Sequence, residues 1–365
     1  MDTQKLQDFY RGKKVLVTGH TGFKGAWLSH VLLGFGAQVV GVSLPPETPD
    51  DVFVSTNLKG KVTHYEFDIR DSERTQALVR QESPDVVFHL AAQALVRRSY
   101  DEPLLTVTTN VTGTANVLEA VRQTPSVRSV VVITTDKVYQ NKEWLYGYRE
   151  NDPLGGYDPY SGSKAAADMV AQAYQQSFFN PAQYGKGHET LIAIARAGNV
   201  IGGGDWSPDR LIPDIVRATL RGDGIVTLRS PEAVRPWEHV LEPISGYLLL
   251  GMRLGKGEEE ISGTWNFGPT QDAWLSTQDV TMRMFGHLGR GTLRVEESAH
   301  KHEAGLLTLD TTKAGRYLGW SSKWNIDRTL EKTAEWYAVV EKDPASALGI
   351  TQKQIKDYFN IDTSV

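Results

Sequence analysis

The 365-residue chain contains no cysteine, which excludes disulfides, thiolate nucleophiles and cysteine-ligated zinc from the start. Long apolar runs are missing too. No stretch approaches the ~20 apolar residues that a membrane-spanning helix requires. Met1-Asp2-Thr3-Gln4-Lys5 does not read as a secretory signal. Nor is there a surplus of basic residues. Against 44 Asp and Glu stand 39 Lys and Arg, a formal charge of −5 and the wrong sign for a surface that gathers nucleic acid or anionic lipid. No internal repeat or low-complexity linker interrupts the chain. These absences predict a cytoplasmic globular protein with neither nucleic-acid nor membrane partners. The length allows one large α/β domain with an appended lobe.

What the chain does have is well-placed glycine. Lys14-Val15-Leu16-Val17-Thr18-Gly19-His20-Thr21-Gly22-Phe23-Lys24-Gly25 reads as a buried strand over 15–18, a tight turn, and a helix that restarts over 26–33. In that order, Gly-x-x-Gly-x-x-Gly is placed to bind a pyrophosphate. The glycines let the backbone approach closely, and the helix N-terminus offers free N–H groups and partial positive charge. Glycines serving helix–strand packing alone are the alternative. His20 and Lys24, inside the loop, stand either beside a cofactor or out in solvent.

Strand, turn and helix keep alternating to about residue 200. Further strands are predicted over 37–42, 62–67, 85–92, 127–134 and 191–196, with helices over 72–80, 109–122 and 160–179 between them. The alternation predicts an α/β fold built on a doubly wound parallel (Rossmann) sheet. Later elements are shorter. A helix over 240–254 and the segment 264–268 are expected to return to the sheet. The dinucleotide-binding domain is therefore drawn as 1–198 with 236–270. A smaller C-terminal α/β substrate lobe takes 199–235 and 271–365, with helices near 277–288 and 328–341.

Such sheets hold ligands at the C-terminal ends of their strands, which singles out particular residues. The second strand runs into Ser43-Leu44-Pro45-Pro46, without an acid for a ribose or an arginine for a 2′-phosphate. Asp68 and Ile69 end the third strand; the carboxylate there either meets an adenine edge or caps the next helix. Leu90, Ala91 and Ala92 follow the fourth, small enough for a flat cofactor to pass, and Gln93 then faces the substrate. Asn110 reads as structural. Thr135-Asp136-Lys137 end the fifth strand. Tyr160 and Lys164 share one helical face. Tyrosine ordinarily titrates near ~10, and an adjacent ammonium favours the phenolate, so Tyr160 is a candidate general base.

Gly19/Gly22/Gly25, His89-Leu90-Ala91-Ala92 and Tyr160-x-x-x-Lys164 resemble the extended short-chain dehydrogenase/reductase family over nearly the whole chain. Within it, three runs resemble the 4,6-dehydratases that act on CDP-glucose: Thr135-Asp136-Lys137, Gly147-Tyr148-Arg149-Glu150-Asn151-Asp152-Pro153-Leu154-Gly155-Gly156, and Arg196-Ala197-Gly198-Asn199-Val200-Ile201-Gly202-Gly203-Gly204-Asp205-Trp206. Dehydratases of other nucleotide sugars usually carry Asp-Glu where this chain has Asp136-Lys137.

The resemblance implies a bound NAD. The glycine loop (Gly19, His20, Gly22, Phe23, Lys24, Gly25), the strand tips (Asp68, Ile69, Leu90, Ala91, Ala92) and the pair Tyr160 and Lys164 would hold it. It also implies that Thr135, Tyr160 and Lys164 oxidise the sugar at C4. Asp136 as acid and Lys137 as base then remove water across C5–C6, on the way to deoxysugars of bacterial O-antigen. Gln93, Thr135, Asn199, Arg210, Leu211, Arg235 and His239 are implied on the substrate side. Desolvation favours the protonated acid and neutral amine this scheme needs, and their mutual attraction opposes it. A salt-bridged pair capping the strand is the alternative.

The stripe Met169, Ala173, Tyr174, Phe178 reads as core or dimer seam; the family's pairing of this helix favours a homodimer, with a tetramer open. No metal is expected, because His300-Lys301-His302-Glu303 puts its ligands on one stretch, a poor cage. An epimerase or decarboxylase on the same fold and a non-catalytic dinucleotide-binding regulator are the competing readings. The Tyr160/Lys164 pair speaks against the regulator.

Overall fold

Seven strands, the central ones β-branched and apolar, assemble into one parallel sheet, in the order β10-β6-β5-β4-β1-β2-β3. A computed structural model describes residues 2–296 and 306–361. The strands are β1 (Lys14–Thr18), β2 (Gln38–Ser43), β3 (Thr63–Glu66), β4 (Val86–His89), β5 (Ser129–Ile133), β6 (Leu191–Ala197) and β10 (Gly263–Phe267). Every pairing among them is parallel. Strands β4, β5 and β6 are buried along their whole length, as a sheet covered on both faces requires.

Alternation along β1 splits the core in two. Leu16 packs with helices Ser72–Glu82, Gly113–Arg122 and Pro159–Ser177. Val15 and Val17 face helices Phe23–Gly34 and Leu241–Gly255. The chain reverses its direction of winding between β1 and β4, which opens the crevice where such sheets bind ligands.

The segment 264–268 does return to the sheet, as β10 beside β6. The helix expected over 109–122 is regular only from Gly113 and is preceded by a wider π turn, Thr108–Thr112. Asn110 in that turn is structural, as expected: its amide bonds the Gln93 backbone at 2.8 and 3.0 Å and Ser163 Oγ at 2.8 Å.

Two small sheets were not foreseen. One joins β7 (Asn199–Ile201), β9 (Val234–His239) and β11 (Trp274–Ser276); the other pairs β8 (Ile225–Leu228) with β12 (Thr292–Val295). The helices Ile326–Lys342 and Ala347–Phe359, assigned by sequence to the lobe, share one continuous apolar core with the helix after the glycine loop. Phe35 and Phe359, for example, stand edge to face at 5.4 Å. The run His300-Lys301-His302-Glu303 lies outside the described residues. Among the described residues, no group of three His, Asp or Glu is placed to hold a metal, and no helix is long and apolar enough to cross a membrane.

Candidate active site

A cleft of about 1790 Å³ runs along the C-terminal ends of the large sheet and on beneath β7 and β9. Single small-ligand pockets span roughly 300–1,000 Å³, so this one has room for two ligands end to end.

The glycine loop forms one wall. Gly19 takes φ +76°, and a Cβ there would stand 2.7 Å from Ala91 N; a Cβ on Gly25 would sit 2.1 Å from Gly19 O. Both glycines are therefore steric requirements of the turn. The helix Phe23–Gly34 starts without a side-chain cap. Phe23, Lys24 and Gly25 line the cleft there, so the helix presents first-turn N–H groups and positive dipole to a phosphate.

His20 does not join them. Its ring is fully buried, with Nε2 2.7 Å from His64 Nδ1 and Phe53 edge-on at 5.3 Å. Burial holds its pKa down to about 4. The space it fills exists because residue 41 is glycine: a Cβ there would be 2.3 Å from the ring. The expectation of His20 beside the cofactor or in solvent is corrected on both counts.

Asp68 lines the cleft with its carboxylate gripped by Arg70 at 2.7 and 2.9 Å. The helix cap is made by Asp71 instead, through Arg74 N at 3.0 Å. Of the two roles the sequence left open for Asp68, the helix cap belongs to Asp71. Ile69, Leu90, Ala91, Ala92 and Gln93 also line the cleft. The Gln93 amide is tied to Leu95 N (2.6 Å), Leu95 O (3.0 Å) and Thr106 Oγ1 (2.9 Å), so it shapes its own loop.

At the tip of β5 the Thr135 hydroxyl donates to Asp136 Oδ1 at 2.9 Å and also meets the Tyr160 phenol. Lys137 lines the cleft, its Nζ 3.5 Å from Asp136 Oδ1. Asp136 itself is 0 % exposed and is set behind the wall that Thr135 and Lys137 form. Tyr160 enters the cleft because Asp158 starts its helix, accepting from Ser161 N at 2.9 Å, with Pro159 in the first turn.

Lys164 lies one turn on, but its Nζ donates to Ile133 O at 2.9 Å. Its ammonium is pushed down to about 8 by burial and by the charge of Lys24, with Asp168 opposing. The Tyr160 phenol is pushed up to about 12 by burial, against the Thr135 hydrogen bond. The expected lowering of Tyr160 by Lys164 is therefore not what this arrangement gives. Burial outweighs it, and the ammonium is engaged elsewhere.

Lys24 faces this catalytic end. Burial takes its ammonium down to about 8, opposed by the carboxyls of Glu238 and Asp136. Asn199, Arg210, Leu211 and Arg235 line the far half of the cleft, with Arg210 held by Asp205 at 2.8 Å. His239 does not. It is 0 % exposed, wedged between Trp27 (5.8 Å) and Trp324 (4.8 Å), and burial lowers its pKa to about 3. The substrate role expected of it is corrected to support of the cleft from behind. Trp237, missed by the sequence reading, lines the cleft beside Arg235. The two are separated by one residue in β9, so strand alternation was the signal. Glu238, between Trp237 and His239, was also missed.

Residues 16–333 match the family model described as GDP-mannose 4,6 dehydratase. The chain belongs to this family. It is 43% identical over 358 residues, 98% of its length and 99% of the relative's, to CDP-glucose 4,6-dehydratase of Salmonella typhimurium. Among solved structures it is similar to the dTDP-glucose 4,6-dehydratase DesIV of Streptomyces venezuelae with NAD and TYD bound. That match has a TM-score of 0.77 and 25% identity, and covers 91% of this chain and 99% of that one. UDP-glucose 4-epimerase of Thermotoga maritima, at TM-score 0.75 and 22% identity over 90% and 99% of the two chains, shares the fold. The resemblance read from the glycine loop and the Tyr160/Lys164 pair is the family found here.

Proposed function

We propose that the protein converts CDP-glucose to CDP-4-keto-6-deoxyglucose and water, with NAD as a redox-neutral cofactor. The observation that carries this reading is the meeting of Thr135, Asp136 and Lys137 at the β5 tip with Tyr160 across the cleft, in a chain so similar to a CDP-glucose 4,6-dehydratase.

The residues fit NAD. The uncapped helix start and the two sterically required glycines suit its diphosphate, and Ala91 and Ala92 leave a flat passage toward Lys164. When bound, NAD supplies a hydride acceptor at C4 and a hydride donor at C6. The chain's own residues do the proton work. Tyr160 takes the proton of the C4 hydroxyl while Thr135 holds that oxygen and, by its hydrogen bond, favours the phenolate against the burial that opposes it. Lys164 lines the cofactor side of the cleft. The C4 ketone acidifies C5–H, and Lys137 removes that proton. Asp136, joined to the cleft through the Thr135 hydroxyl, protonates the departing C6 oxygen as water. Lys137 finally returns a proton to C5. Arg210, Arg235 and Asn199 are placed for the nucleotide diphosphate, arginine because its planar fork matches phosphate.

The product would serve deoxysugar assembly for O-antigen in the cytoplasm. A homodimer through the Tyr160 helix is supported by its outward stripe, in which Met169 is 59% and Phe178 48% exposed beside Leu104 at 80%. Of the stripe, Met169, Ala173 and Phe178 stand exposed, while Tyr174 packs partly against the core. The test is direct: incubate protein and NAD with CDP-, dTDP-, UDP- and GDP-sugars and weigh the products. Loss of one water from CDP-glucose supports the reading; an isomer or an unchanged substrate overturns it.

A further inference from the structure

Behind Asp136 lies a second buried carboxyl that the scheme above does not use. Glu238 in β9 is 1% exposed, and neither carboxyl oxygen has a hydrogen-bond partner among the described residues. The Gly198 amide faces it, outside hydrogen-bond geometry. Asp136 Oδ2 is likewise buried and without a partner. Gly198 is the window between them. A Cβ placed there would stand 3.4 Å from Asp136 Oδ2 and 3.1 Å from Pro236 Cγ, and Pro236 shares one face of β9 with Glu238. Lys24 from the first turn of its helix, Glu242 and Tyr247 from the helix Leu241–Gly255, and Tyr358 from the last helix also face Glu238.

A buried carboxyl without a partner is costly as an anion. Burial and the nearby Glu242 and Asp136 push the Glu238 carboxyl well above the ordinary carboxylate range, against Lys24. The protonated form is therefore the one its surroundings favour.

Proton accounting gives that proton a use. Each turnover moves the C4 hydroxyl proton onto Tyr160. Lys137 gains the C5 proton and returns it. The C6–O bond breaks with a proton taken from Asp136, leaving as water. The overall reaction is proton-neutral, yet the cycle ends with Tyr160 one proton richer and Asp136 one poorer. Asp136 has no exposed surface and must be reprotonated before the next turnover, through the Thr135 hydroxyl or from a buried donor.

We propose that Glu238 is the proton reserve that restores Asp136 after each elimination, a role that rests on the dehydratase reading. Its carboxyl O–H, which meets no acceptor at rest, turns across the Gly198 window to reach Asp136 Oδ2 and is refilled from solvent through Lys24, which lines the cleft. Tyr160 returns its extra proton to solvent on the cleft side, and the balance closes.

The experiment compares the first turnover with steady state for wild type, Glu238→Gln and Glu238→Asp, using holoenzyme and CDP-glucose in rapid quench. In Glu238→Gln the first turnover stays within about twofold of wild type, while the steady-state rate falls about tenfold at mildly alkaline pH. The deficit closes toward acid, where protons reach Asp136 from the cleft through the Thr135 hydroxyl. Glu238→Asp, which keeps a titratable carboxyl, recovers most of the rate. A merely packed residue would give equal pH profiles in all three, and that result overturns the proposal. Infrared spectroscopy of the resting protein provides a readout free of turnover. Wild type shows a protonated-carboxyl band near neutral pH that shifts in deuterated water and is lost in Glu238→Gln. Absence of such a band in wild type overturns the proposal whether or not the variants fold. Failure of wild type to release water from CDP-glucose would instead remove the dehydratase reading, with the infrared result standing on its own.

Discussion

Asp168 and Arg196 meet as a bidentate pair, Nε and Nη2 each 2.8 Å from a carboxylate oxygen, with exposures of 0 % and 1%. Asp168 sits one helical turn past Lys164, and Arg196 sits in β6. Asp168 Oδ2 also accepts from Thr134 Oγ1 at 3.0 Å, and Arg196 Nη1 donates to Tyr139 Oη at 2.8 Å, which in turn donates to Asn266 Oδ1 at 2.7 Å. The Tyr160 helix, the β5 tip and β10 are thereby bonded through one buried cluster. The spacing of Thr135 from Tyr160 is set by this clamp.

Removing one half of that pair strands the other. Asp168→Ala leaves a buried guanidinium without its carboxylate, and the expected loss is about 3–5 kcal/mol of folding stability. The double variant Asp168→Leu/Arg196→Met should regain a large part of it, because no lone charge remains. Urea unfolding of the three proteins checks this. A single variant within about 1 kcal/mol of wild type would mean that the pair behaves like a surface bridge.

Lys164 should trade stability for chemistry. Its folded pKa of about 8 lies below its ordinary 10.5, so the unfolded chain binds more protons between those values and the lysine opposes folding most at lower pH. Lys164→Met should abolish turnover yet unfold later than wild type near neutral pH, by about 2 kcal/mol after the lost bond to Ile133 O is counted. The gap should close as pH rises from 8 to 10.5. Thermal melts across that range, with a gap that widens instead, would reverse the assignment.

Gly22 and Gly25, two of the three loop glycines, should fail in different ways. A Cβ on Gly25 collides with the Gly19 carbonyl at 2.1 Å, whereas one on Gly22 makes an ordinary 3.4 Å contact. Gly25→Ala is expected to lose both thermal stability and NAD binding. Gly22→Ala should keep its melting temperature and lose affinity only. The end of β2 offers no cation for a 2′-phosphate: Ser43 bonds Thr21 at 2.7 Å, and Lys24 looks toward Glu238 instead. NAD should therefore bind more tightly than NADP, and titration of both cofactors into the wild-type protein decides it.

The centre of the large sheet was legible because β1, β2, β4, β5 and β6 are compact, mostly apolar runs, and such runs mean burial whatever surrounds them. Strands β7, β9 and β11 were not, since segments as short as Asn199–Ile201 and Trp274–Ser276 are held by their partners and carry no periodic pattern of their own. At the site, glycine spacing and the Tyr160/Lys164 interval pointed to elements that the structure brings to one cleft. Side-chain direction was beyond the sequence. His20 belongs to the loop yet turns into the cavity left by Gly41, and His239 ends a cleft-lining strand yet packs between two tryptophans. Both errors came from treating neighbours in the chain as neighbours in the cleft. Glu238 went unnoticed for the converse reason: an acidic residue inside a short strand gives no sign that its carboxyl is buried.

Lys137 gives the sharpest test of the chemistry, because it is where this chain departs from the Asp-Glu pattern. It lines the cleft with its side chain 32% exposed, and its Nζ stands 3.5 Å from Asp136 Oδ1. Lys137→Met leaves Thr135, Tyr160 and Lys164 untouched, so oxidation at C4 should proceed. With no base at C5, elimination should stall, and a 4-keto hexose should build up on the enzyme beside reduced cofactor, visible by its absorbance. Loss of a general base typically slows a step by about a hundredfold or more. A lysine that only braced Asp136 would behave differently, lowering stability or substrate affinity while the steps kept their proportions. Rapid quench combined with solvent-deuterium exchange at C5 separates the two. Normal exchange at C5 in folded Lys137→Met would move the base to another residue and dissolve the acid–base pairing of Asp136 with Lys137.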